Sequence, residues 1–94
     1  MFVVLMHYEK ELQVVDTHLQ AHREHLEQGY QRNYLLASGP QNPRTGGVML
    51  SQLKEKTTLE AFLKADPFVK RGIASYQIIE FTPVKYHQAI KALV

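Results

Sequence analysis

Phe2 to Tyr8 reads FVVLMHY, and both of its alternating sets are apolar: Phe2, Val4 and Met6 on one side, Val3 and Leu5 with His7 on the other. Such a run predicts a central strand covered on both faces. The period then lengthens. Leu12, Val15, Leu19, Leu26 and Tyr30 recur at three- and four-residue steps, which predicts one helix from Leu12 to Tyr30 with a single apolar stripe. The position that would complete the stripe carries His22, with His18 and His25 on its border. Asp16 is a capping residue if the first turn is loose. Gly29 weakens the last turns, and Asn33 can take the left-handed conformation that stops a helix.

Tyr34 to Ser38 predicts a second strand, closed by Gly39-Pro40, and Val48 to Gln52 a third. The stretch GPQNPRTGG between them predicts a loop wider than a tight hairpin needs, either a plain connection or a functional one. It lacks the lysine-serine ending of a phosphate-binding loop. Thr57 or Thr58, with Glu60 reaching back, is expected to cap a second helix. That helix has the stripe Leu59, Phe62, Leu63 and then, unexpectedly, Asp66, before Pro67 ends it. Phe68 to Gly72 makes one short turn. Ser75 to Phe81 alternates as a fourth strand, with Tyr76 and Ile78 on one face and Gln77, Ile79 and Phe81 on the other. Tyr86 to Leu93 predicts a short amphipathic helix.

The order strand, helix, strand, strand, helix, strand is that of a ferredoxin-like βαββαβ α+β domain. Two right-handed crossovers then put both helices on one face of a four-stranded antiparallel sheet. The other face is still apolar in the first strand, and a second copy packed sheet to sheet is the simple way to cover it. A homodimer is therefore expected.

Composition narrows the partners. The chain has 94 residues, enough for one domain, and no cysteine, which excludes disulfides and thiolate zinc sites. Net charge is +2 and only Lys70-Arg71 are adjacent basic residues, so a nucleic-acid footprint is absent. No apolar run approaches membrane-spanning length, and the N-terminal run lacks the flanks of a signal peptide. A cytoplasmic protein without nucleic-acid or membrane partners is expected.

His22 admits three readings: a core histidine with both ring nitrogens satisfied, a general acid/base, or one ligand of a metal site with His18 and His25. Three ligands from one helix converge poorly and no carboxylate joins them, so neither a metal nor another cofactor is expected. Asp66 has two compatible readings. It can cap the turn that begins at Pro67, or it can orient a catalytic partner. The predicted topology brings His22 and Asp66 to the same side of the sheet, where the carboxylate would fix the histidine tautomer and stabilise the imidazolium. No serine or threonine is placed to act as a nucleophile.

The segments AHREHL (Ala21 to Leu26), LLASGP (Leu35 to Pro40), the pair Gly46-Gly47 and ADPFVKRG (Ala65 to Gly72), followed by IIEFTPV, resemble the YCII-related domain family over about Phe2 to Pro83. The resemblance implies a ferredoxin-like dimer akin to the dimeric α/β barrels, a superfamily that includes muconolactone isomerases and small monooxygenases. It also implies a histidine–aspartate pair at His22 and Asp66, with His18 and His25 outside the family pattern. Gly39, Pro40 and Phe68, within these segments, are the candidate substrate contacts. The resulting expectation is an acid/base enzyme performing isomerisation or elimination on a small cyclic or aromatic molecule. The alternative is a non-catalytic dimeric ligand-binding or regulatory module in which His22 and Asp66 tie the helices together.

Overall fold

The two-faced first strand is the centre of the sheet. In the computed structural model, which describes residues 1–94, β1 (Phe2–Tyr8) pairs antiparallel with β3 (Gly46–Ser51) and β4 (Ala74–Glu80). β2 (Leu35–Pro40) adds antiparallel beyond β3, giving the order β2-β3-β1-β4. Register sorts the faces. Val4 stands opposite Met49 and Ile78, and Met6 opposite Gly47 and Tyr76, so these share one side. Val3 stands opposite Leu50 and Ile79, and Leu5 opposite Val48 and Gln77, on the other.

The helices are α1 (Leu12–Thr17), α2 (Leu19–Gln31), α3 (Lys56–Lys64) and α4 (Pro67–Lys70). One core cluster joins Phe2, Val4 and Met6 to Val15, Leu26, Leu59, Leu63 and Phe68, so the helices cover the Phe2 side. This is an α+β fold, a four-stranded antiparallel sheet with its helices on one face. The far face leaves Val48, Ile79 and Phe81 exposed. No helix is long and apolar enough to cross a membrane.

Two close approaches hold the layers in place. A Cβ on Gly29 would lie 2.5 Å from Cζ of Phe62, so the glycine that weakens α2 lets α3 come against it. A Cβ on Gly46 would sit 1.8 Å from the Met6 carbonyl oxygen, which ties β3 to β1 at the end of the sheet. Asn33 has φ 61°, the left-handed stop expected after α2.

Several local expectations are corrected. The helix from Leu12 to Tyr30 is two helices, broken at His18 (φ −108°, ψ 7°). Asp16, Thr17 and His18 are poor helix formers in succession, and Thr17 Oγ1 donates back to the Gln13 carbonyl at 2.9 Å. Leu12, at 44% exposed, lies outside the buried stripe, and Asp16 sits inside α1 rather than capping it. α3 starts at Lys56, with Glu55 at its N-cap and no side-chain cap bond, so Thr57 and Thr58 lie within its first turn. Both ends of the supposed wide loop are strand. Gly39 pairs with Val48 and Pro40 with Gly47, leaving Gln41 to Thr45 as the connection. At the C-terminus, Gln88–Leu93 is a 3₁₀-helix with no buried residue rather than an amphipathic α-helix.

Candidate active site

Asp66 ends the α3 connection and begins α4. Its backbone is extended, Pro67 follows as the first helical residue, and its Oδ1 accepts the Phe68 N–H at 2.9 Å. That is an N-cap built on an Asp-Pro pair. The same carboxylate is fully buried and faces α2, where His22 Nδ1 lies 2.7 Å from Oδ2 and 3.0 Å from Oδ1. The capping and partnering roles of Asp66 therefore coexist in one side chain.

An ionised carboxylate only accepts, so the hydrogen of a neutral His22 ring resides on Nδ1 and its lone pair on Nε2. The ring is also clamped by packing. It stacks on Phe68 with centroids 4.0 Å apart and planes 3° from parallel, and Tyr8 meets Phe68 edge-on at 6.1 Å. Cap and stack thus converge on Phe68, and the stack together with the bond to Asp66 fixes the imidazole plane. Nε2 has no protein partner, yet no buried side-chain nitrogen or oxygen is unsatisfied, so this nitrogen is open to solvent.

The ring lines a cavity of about 470 Å³ between α2 and the β2–β3 end of the sheet. His22, Gly39, Pro40 and Phe68 all line it, while Asp66 lies behind the imidazole and does not. Tyr8, Arg23 and Arg44 line it too. Arg44, on the connection after β2, donates from Nη2 to Asp16 Oδ1 at 2.5 Å and lies 5.8 Å from the Tyr8 ring centroid. The hydrogen bond from Arg44 holds the Asp16 carboxyl below its ordinary range against an opposing effect of desolvation, with the charges of Arg44 and Arg23 adding to the lowering. The same pairing, together with Tyr8, raises Arg44.

The other two helix histidines go elsewhere. His25 Nε2 donates to the Phe62 carbonyl at 2.7 Å and its ring stacks on Phe62 at 4.4 Å, so it ties α2 to α3. His18 occupies the break between α1 and α2. The trio does not converge on one point, and no group of three His, Cys, Asp or Glu side chains is arranged to hold an ion.

Tyr8, Arg23 and Arg44 escaped the sequence reading. Tyr8 continues the inward set of Phe2, Val4 and Met6, so its parity places it on the helix side. Arg23 follows His22 and is off the apolar stripe of the helix. Arg44 sits in the Gly/Pro-rich connection, where only the loop's length had hinted at function.

A family model for the YCII-related domain matches residues 1–82. Among solved structures, the chain is similar to the 5-chloro-2-hydroxyhydroquinone dehydrochlorinase of Burkholderia phenoliruptrix AC1100 in complex with 2,5-dihydroxybenzoquinone. The TM-score is 0.71 at 19% identity, covering 87% of this chain and 94% of that one, a likeness of fold. No curated protein matches the chain.

Proposed function

The chain belongs to the YCII-related domain family, and on that footing we propose that it is a small acid/base enzyme in which His22 transfers the proton and Asp66 orients it. The carrying observation is the position of the imidazole between two environments. Nδ1 is bound to a sealed carboxylate, while Nε2 is open to solvent and the ring lines a cavity with the aromatic rings of Tyr8 and Phe68. In the proposed step, Nε2 takes a proton from a carbon or hydroxyl of a bound ring, and Asp66 stabilises the imidazolium that forms. The imidazolium then returns the proton at another atom in an isomerisation, or the substrate expels a leaving group in an elimination. Gly39, Pro40 and Phe68 would be substrate contacts, since all three line the cavity.

The substrate we propose is a small cyclic or aromatic molecule. A cavity of this size suits one ring with its substituents. The fold neighbour, a dehydrochlorinase by name and bound to a dihydroxybenzoquinone, is consistent with elimination on such a ring. Strand order β2-β3-β1-β4 supports a ferredoxin-like domain, and the uncovered Val48, Ile79 and Phe81 support a dimer packed sheet to sheet. The non-catalytic reading draws on one fact, that Asp66 already has a structural task as the cap of α4.

Turnover separates the two. Purified protein is assayed against chlorinated hydroxyhydroquinones and unsaturated lactones, following absorbance and chloride release. The proposal expects turnover of at least one class and a loss on the order of 10²-fold or more in His22→Asn. Turnover unaffected by His22→Asn, or tight ring binding without any turnover, would contradict it.

A further inference from the structure

We propose that the cavity beside His22 takes ring compounds that are anionic at neutral pH, and that Arg23 and Arg44 are the residues that select for the charge. The inference rests on the acid/base reading of His22 and specifies its substrate class. Arginine supplies the only permanently charged side chains lining the cavity, and no aspartate or glutamate does so. Asp66 is sealed behind the imidazole and engaged by His22 and the Phe68 N–H. An anion entering the cavity therefore meets two guanidinium groups, and the one exposed carboxylate at its rim, Asp16, is bonded to Arg44.

Arg44 is held in place for this task. Asp16 accepts from one of its nitrogens, Nη2, and the guanidinium lies within 6 Å of the Tyr8 ring centroid. A guanidinium has five N–H donors, so most remain free for a ligand. Asp16 is then a positioning residue. Arg23, one residue after His22 on α2, also acts on the Asp16 carboxylate through its charge. The rim holds two cations and one anion, and its uncompensated positive charge belongs to the wall that His22 shares.

The chemistry is coherent with the base. Proton removal from a hydroxylated ring, an enone or a lactone leaves an enolate or phenolate, and fixed cations beside a forming anion stabilise the transition state. Hydroxyquinones and ring carboxylates carry such a charge before reaction. A charge-assisted bond from each arginine would both hold the ligand and set its orientation toward Nε2.

The test uses matched pairs at neutral pH, namely 2,5-dihydroxybenzoquinone against its neutral dimethyl ether, and benzoate against benzamide. Affinity is read by calorimetry, and contact with the site by the ¹⁵N shift of the His22 ring. The anionic member of at least one pair should bind about tenfold tighter than its neutral partner. Which pair responds tells an enolate from a carboxylate. Arg44→Gln and Arg23→Gln should each weaken the anion by about three- to tenfold and leave the neutral member unchanged. Asp16→Asn should leave anion binding unweakened, because asparagine Oδ1 still accepts from Arg44 Nη2 and keeps it in place while the competing negative charge is gone.

Equal binding within both pairs, arginine variants that keep the anion's affinity, or no probe that moves the His22 signal would each overturn the proposal. So would an Asp16→Asn variant that loses the anion as Arg44→Gln does, since the charge of Arg44, which that variant keeps together with an acceptor oxygen, would then not be what holds the anion. Failure here is distinguishable from failure of the acid/base reading. Turnover lost in His22→Asn without anion preference defeats only the charge proposal. Arginine-dependent anion binding with turnover indifferent to His22→Asn defeats only the acid/base reading.

Discussion

Asp66→Asn changes one atom of the site and separates the two tasks of the carboxylate. Asparagine is as good an N-cap as aspartate, so its Oδ1 keeps the Phe68 N–H now bound at 2.9 Å. The amide nitrogen then takes the place of Oδ2, which lies 2.7 Å from His22 Nδ1. That nitrogen donates where Oδ2 accepted, so Nδ1 must become the acceptor and the ring hydrogen moves to Nε2. Stability changes little, because a charge-assisted bond is exchanged for a neutral one and none is lost. The difference between the two classes is about 1–2 kcal/mol. Proton abstraction changes far more, because the nitrogen facing the cavity no longer has a lone pair. In catalytic triads the equivalent exchange costs roughly 10⁴-fold. Urea midpoints measure the first effect, and long-range ¹H–¹⁵N correlation of the His22 ring reports which nitrogen is protonated. A ring hydrogen that stays on Nδ1 in the variant, or a stability loss above about 3 kcal/mol, would refute the reasoning, the second because it would match the loss of a buried pair.

Other outcomes follow from the same contacts. His22→Leu leaves Oδ2 of the fully buried Asp66 with no partner. Although leucine completes the apolar stripe of α2, it should lower the urea-derived stability by about 2–4 kcal/mol, the penalty for a broken buried pair less part of the leucine's burial. Sedimentation at micromolar concentration should give a dimer, and Leu5→Lys, in the middle of the far sheet face, should give a monomer. The Asp16 carboxyl is held below its ordinary value of 3.8, chiefly by Arg44, so the tie stabilises the fold above that pH and fades as pH falls through the lower folded-state value. The stability difference between wild type and Arg44→Gln should accordingly be small but constant near neutrality and vanish in strong acid.

Element order and the inward set of β1 were legible because periodicity carries them. Phe2, Val4 and Met6 are buried, and Tyr76 and Ile78 share their side as the alternation implies. His22 and Asp66 stood out as polar residues in apolar stripes, and topology alone put them on one side. The break at His18 was missed because a hydrophobic stripe persists across a local interruption that poor helix formers permit. The strand character of Gly39-Pro40 and Gly46-Gly47 was hidden by turn-forming residue types, of which Gly46 here serves a close approach of β3 to β1. The arginines of the cavity could not be read from spacing. Arg23 and Arg44 come from different elements, and the contact with Asp16 that aligns Arg44 spans 28 residues of sequence.

The claim that His22 Nε2 moves a proton of a bound ring can be tested without the natural substrate. A butenolide or cyclic enone that binds the cavity is incubated in deuterated water, and solvent deuterium entering the ring is followed by NMR. The account predicts exchange catalysed by the wild-type protein, lost in His22→Asn and reduced on the order of 10²–10⁴-fold in Asp66→Asn. Exchange no faster than in buffer for every ring compound that binds, or exchange equally fast in His22→Asn, would contradict it.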